Sequence, residues 1–169
     1  MSSTRRILTA LRRVIGLGAG PRPGVREPVS PGQSGSSATI ELDPRRVGKV
    51  RFRYSPEQDG EPDPGEVVWT WVPYEERDGR GKDRPVAIVA AGATGEYLAV
   101  QLTSRPHDGD PGYLALGAGA WDVEGRPSWA RIDRVYRVST GGMRREGAAL
   151  DRARYDRLTA ALSGRYGWR

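Results

Sequence analysis

From residue 66 onward the chain is a succession of short β-branched and aromatic runs separated by Pro, Asp and Gly. Runs of this kind satisfy their backbone only by pairing with one another, so they dictate a sheet of short strands. The first run is 66–72, and a polar loop at 74–83 follows it. The second is 84–91, and the turn at 93–95 leads back into a third at 97–104. In the third run Leu98, Val100 and Leu102 project to one face, and Ala99, Gln101 and Thr103 to the other. A Pro/Asp/Gly loop spans 106–112, a short strand 113–116, an irregular stretch 118–127 and a last long strand 129–138. Asp151 is placed to cap a helix reaching about Ser163, with Tyr155, Leu158 and Leu162 on one face. The expected fold is mainly β with a C-terminal α-helix, as a small barrel or half-open sheet.

Upstream of this the chain changes character. Ile7, Leu8, Leu11, Val14 and Ile15 keep helical spacing among Arg5, Arg6, Arg12 and Arg13, predicting a basic N-terminal helix over 4–15. Gly, Pro and Ser dominate 16–37, predicting a disordered linker, so 1–37 reads as a flexible tail. Gly16, Gly18 and Gly20 imitate part of a dinucleotide-binding loop, but no strand precedes them. Residues 38–64 read as an N-terminal extension with possible strands at 38–42 and 50–54 and a loop at 55–65. The domain proper is expected over 65–169.

The 169 residues contain no cysteine, which excludes disulfides and thiolate metal sites and fits the cytoplasm. No apolar run approaches the roughly 20 residues that cross a bilayer, so membrane association is not expected. The net charge of +6 invites a nucleic-acid reading, but its distribution qualifies it. Residues 1–30 hold six arginines against Glu27 alone, a net of +5, which leaves the rest near +1. Any RNA groove on the folded part must therefore arise from local placement of charge. Only Lys49 and Lys82 of the 27 basic residues are lysine, a bias typical of GC-rich coding.

Three pieces of the chain have a shared order: Gly65-Glu-Val-Val-Trp69, then Arg84-Pro-Val-Ala-Ile-Val89 after a charged loop, then Val100-Gln-Leu-Thr-Ser104. Together with Arg131-Ile-Asp133 in the last strand, this layout resembles the PemK/MazF toxin family, in a branch found in high-GC bacteria. The resemblance covers roughly Gly65 to the C-terminal helix. It implies an SH3-like small β-barrel that forms a homodimer and cuts single-stranded RNA without a metal or other cofactor. It also implies a cognate antitoxin that occupies the RNA groove.

Cutting RNA in this way uses the neighbouring 2′-hydroxyl as nucleophile, and needs a base, an acid for the leaving 5′-oxygen, and cations around the phosphate. Arg84, Thr103, Arg131 and Asp133 are the expected catalytic set. Asp133 is the base, or else a strand-end ion-pair partner of Arg134 or another arginine. Arg131 stabilises the transition state and is a candidate acid. A guanidinium so near Asp133 would weaken it as a base, so Arg131 is expected to serve the phosphate rather than pair with Asp133 permanently. Arg84 clamps the phosphate, or packs its stem over an aromatic ring. Thr103 bonds a phosphate oxygen, with Ser104 as alternate should the register slip. Arg77, Arg80 and Lys82 of the 74–83 loop are candidate RNA-binding residues. That loop carries no His where some relatives have one, and Glu75, Glu76 and Asp78 do not align with a relative's acidic position. Trp71, Tyr74, Trp121 and Trp129 can stack bases or fill the core. His107 is expected on a loop surface, and no metal site is expected.

Two other functions compete. A non-catalytic SH3-like module would bind RNA or protein without cutting it, and a peripheral membrane adaptor would work through residues 4–15.

Overall fold

The computed structural model describes residues 29–57 and 59–169. The predicted basic helix at 4–15 and the linker residues 16–28 lie outside the described residues. Among the described residues the elements are β1 (Ile40–Leu42), β2 (Glu66–Pro73), β3 (Gly81–Ala91), β4 (Glu96–Thr103), β5 (Tyr113–Gly117), β6 (Ser128–Arg131), β7 (Val135–Ser139), β8 (Arg144–Ala149) and the helix α1 (Arg152–Tyr166). All strand pairs are antiparallel. The order runs β1-β7-β4-β3-β2-β8, with β6 joining β4 to β5. The path does not close on itself, so the half-open sheet is the form taken.

The alternation read from the third run decides which side chains meet. Leu98, Val100 and Leu102 enter one core with Val67, Ala87 and Val89, and α1 covers it with Tyr155, Leu158 and Leu162. Tyr97 and Ala99 join a second core on the other face with Val68, Val72, Val86, Ile88, Tyr136 and Val138. The sheet is therefore buried on both sides at its centre. Asp151 caps α1, accepting a hydrogen bond from the Arg154 backbone N–H at 2.8 Å. The helix runs three residues past the expected end and stops at Gly167, which takes the left-handed conformation.

Three expectations are corrected. The single strand predicted over 129–138 is broken into β6 and β7. Both pair with the same edge of β4, β6 at Leu102–Thr103 and β7 at Glu96–Ala99, and between them the Ile132 N–H turns away to the Gly112 carbonyl at 2.8 Å. The second possible strand at 50–54 does not form, although Val50 is buried in the first core and Phe52 and Tyr54 pack against it. Pro31, Gly32 and Ser37 of the predicted linker are packed rather than loose, while 33–36 between them are exposed. The Trp71 N–H donates to the Pro31 carbonyl at 2.9 Å, and Gly142 sits so close to Gly32 and the Ser37 carbonyl that neither glycine has room for a Cβ. Strand β8 has no counterpart in the sequence reading, because it is an edge strand whose side chains are mostly exposed and follow no apolar alternation. No helix among the described residues is long and apolar enough to cross a membrane.

Candidate active site

The face that carries Val86, Ile88 and Ala99 at its centre turns polar where β3 and β4 end. The register pairs Val86 with Gln101. The ladder ends there; beyond it Arg84 and Thr103 continue the face that Val86 and Gln101 share, and both line one groove. Strand β6 extends this arrangement, because it pairs Leu102 with Ala130 and so brings Arg131 level with Gln101. Three strands thus deliver Arg84, Gln101, Thr103 and Arg131 to one end of the sheet.

Two grooves meet there. One, of about 510 Å³, is lined by Lys82, Asp83, Arg84, Thr103 and Ser104 on one side and by Trp121, Asp122 and Arg126 on the other. The second, of about 500 Å³, is lined by Arg84, Gln101, Arg105, Arg131 and Arg134 together with Glu75 and Glu76. Arg84 belongs to both. Four guanidiniums and two carboxylates line the second groove. Asp133 and Glu41 pair with two of the guanidiniums, Arg131 and Arg134, so the charge left to a ligand among the described residues is that of Arg84 and Arg105.

Among the described residues Arg84 has no hydrogen-bond or ion-pair partner, so its charge is available to a ligand. The Thr103 hydroxyl accepts from the Arg105 backbone N–H at 3.2 Å, which leaves its own hydrogen to donate. Arg131 is committed on two sides. Its Nε donates to Asp133 Oδ1 at 2.8 Å, and its Nη1 contacts Glu75 Oε1. Its carbon also lies 5.6 Å from the Tyr113 ring centroid. Burial works to lower its pKa, but the bonds to Asp133 and Glu75 outweigh this and raise it. Arg131 is thus a firm cation and a poor proton donor. The resting arrangement is the alternative reading of Asp133, an ion pair with an arginine, and the partner is Arg131. Asp133 itself lines neither groove, and its alternative partner Arg134 is bound to Glu41 instead, with Nη2–Oε2 2.7 Å.

Of the cations expected in the 74–83 loop, Lys82 lies in β3 instead, because the strand begins at Gly81 and pairs Lys82 with Val72, and it reaches the first groove. Arg77 and Arg80 line neither, Arg77 lying 3.6 Å from Glu41 and Arg80 2.6 Å from Asp78. Trp121 and Trp129 are buried, and the Trp121 indole N–H donates to the Ser128 hydroxyl at 2.9 Å. His107 is half-buried rather than loose on the surface, stacked on Tyr113 with ring centroids 3.6 Å apart. Among the described residues no group of three His, Asp or Glu side chains is arranged to hold a metal ion. The sequence reading missed Arg105 and the groove role of Gln101. The alternation that placed Thr103 on the polar face also placed Gln101 there, so that signal was present, whereas Arg105 follows the end of β4 and carries none.

A half-open antiparallel sheet backed by one helix, with a cationic groove at the end of its central strands, defines a small mainly β protein with a surface site for an anionic ligand. Residues 63–164 match the family of PemK-like, MazF-like toxins of type II toxin-antitoxin systems, and the chain belongs to that family. No curated protein matches the chain. Solved structures similar to it include a MazE-MazF complex from Deinococcus radiodurans, 20% identical, TM-score 0.48, covering 63% of this chain and 96% of that one. Another is an endoribonuclease in complex with its cognate antitoxin from a mycobacterial species, 18% identical, TM-score 0.49, covering 63% and 96%. A third is the Mycobacterium tuberculosis toxin MazF-mt6, 14% identical, TM-score 0.45, covering 62% and 98%.

Proposed function

We propose that this toxin is an endoribonuclease that cuts single-stranded RNA in the groove shared by Arg84 and Arg131, by attack of a 2′-hydroxyl on the adjacent phosphorus. The observation that carries the reading is the convergence of these two arginines on one groove, with the donor hydroxyl of Thr103 in the adjoining groove that Arg84 also lines. Arg84 and Thr103 hold the non-bridging oxygens as charge develops on them. Arg131 adds its fixed charge. As it turns toward the phosphate it releases Asp133, whose carboxylate takes the 2′-hydroxyl proton. The new P–O2′ bond forms while the P–O5′ bond breaks, and water protonates the leaving 5′-oxygen, giving a 2′,3′-cyclic phosphate and a 5′-hydroxyl. No step calls on a metal. The partners that go with this reading are single-stranded RNA, a cognate antitoxin that blocks the groove, and a second copy of the chain. The setting is the cytoplasm.

Incubating the purified protein with a long RNA in EDTA and mapping the ends tests the proposal. Cuts with cyclic-phosphate ends are expected, lost in Arg84→Ala and in Asp133→Ala with thermal unfolding nearly unchanged. Retained cutting in both variants removes the site assignment, and absence of cutting by the unaltered protein removes the nuclease. The two carboxylates already on Arg131 favour one second reading, a non-catalytic module that binds RNA or protein, which binding without product over long incubation would support.

A further inference from the structure

Glu75 is the one loop carboxylate that enters the cationic groove and lands on a guanidinium. Its side chain is largely exposed, whereas that of Arg131 is largely buried. Asp133 holds the other side of Arg131, so the atom Glu75 takes is the one still open toward the groove. A carboxylate on an arginine and a phosphate on an arginine use the same charge and the same donor geometry. Glu75 therefore occupies the place an RNA phosphate must take.

The loop that carries it is built rather than loose. The Tyr74 N–H donates to the Arg80 carbonyl at 3.0 Å, and the Arg77 N–H to the Tyr74 carbonyl at 3.2 Å. Arg77 adopts a left-handed φ of 52°, a conformation that costs a non-glycine residue free energy and persists only where neighbours impose it. Its neighbour here is Glu41 of β1, 3.6 Å from the Arg77 guanidinium. Glu41 and its strand precede residue 63 and so lie outside the stretch that matches the family.

We infer that Glu75 is the resident ligand of a phosphate subsite made by Arg131 with Arg105, and that an RNA phosphodiester binds there by displacing it. The inference rests on the proposed RNA reading of the groove. It makes Glu75 a competitor of substrate: it lowers RNA affinity and takes no part in the chemistry.

The test is binding of a random-sequence 2′-O-methyl single-stranded oligonucleotide, which lacks the attacking hydroxyl, to the full chain by fluorescence anisotropy. Glu75→Gln is expected to bind about three- to fivefold more tightly, the range of an exposed ion pair that no longer has to be broken. Glu76→Gln removes the same charge from the same loop; Glu76 has no ion-pair partner among the described residues, so this variant should gain much less. In an Arg131→Ala background the gain from Glu75→Gln should vanish. An equal gain from Glu75→Gln and Glu76→Gln, a gain that survives without Arg131, or no gain overturns the subsite. If the unaltered protein cuts RNA but Glu75→Gln binds no better, only the subsite fails. If no form of the protein binds or cuts RNA, the nuclease reading fails with it.

Discussion

Glu41 and Arg134 form a two-pronged ion pair, with Arg134 Nε donating to Oε1 at 3.0 Å and Nη2 to Oε2 at 2.7 Å. The pair fastens β1 to the segment between β6 and β7, beside the cationic groove. The bonds from Arg134 hold the Glu41 carboxyl below its ordinary value of 4.5, against the opposing effect of burial. A depressed carboxylate stabilises the fold fully above its unfolded pKa, and the contribution is lost as pH falls through the folded one. Glu41→Gln should cost about 2–3 kcal/mol near neutral pH, because it leaves Arg134 buried without its counter-charge. Urea unfolding of both proteins should show that difference at pH 7 and show it shrinking as the pH drops below the ordinary carboxylate range.

Thr103 offers a sharper separation of chemistry from stability. Thr103→Ser keeps the hydroxyl and should keep cutting within a few-fold. Thr103→Val keeps the shape and removes the donor. Its cleavage rate should fall about 100-fold, the usual effect of deleting one hydrogen bond to a developing oxyanion. The residue ends a strand at the surface, so the thermal midpoint should move little.

Two glycines should respond in opposite directions. A Cβ on Gly142 would overlap the Ser37 carbonyl, so Gly142→Ala should destabilise by about 2 kcal/mol and speed hydrogen exchange in residues 31–39. Gly164 lies within α1 with open space where a Cβ would stand, so Gly164→Ala should stabilise by about 0.5–1 kcal/mol. Chemical denaturation midpoints check both.

The contact between α1 and the sheet is testable through Leu158, which is fully buried in the first core. Leu158→Ala should cost about 3 kcal/mol, because the cavity it leaves is walled by paired strands that cannot collapse into it. Removing the helix cap with Asp151→Ala should cost about 1 kcal/mol.

Several of these features could be read before any coordinates. Asp151 at the head of α1, and Tyr155, Leu158 and Leu162 beneath it, follow from the capping preference and helical period alone. The split of β4 into a Leu98–Val100–Leu102 face and an Ala99–Gln101–Thr103 face follows from the strand period. What failed was any feature whose partner lies far along the chain. Ile132 and Val135 look alike in sequence, yet the strand breaks between them, because β4 can offer one edge to β6 and β7 only at separate stretches. Arg131 and Asp133 were read as two residues of one continuous strand, and their i,i+2 spacing put them on one face, where the structure pairs them.

By itself, then, the order of residues settled which segments become strands and helix and which face of β4 is polar, because these depend on periodicities of two or about four residues and on local caps. It also placed Thr103 at the end of its strand, where β4 does end. Only the tertiary structure decided that Glu41, 93 positions before Arg134, would be its counter-ion, and that Glu75 rather than a free groove would meet Arg131. Ion pairs of that kind are selected by where sheet register and loop closure bring charges together, and no local rule encodes a choice among 21 acidic and 27 basic side chains.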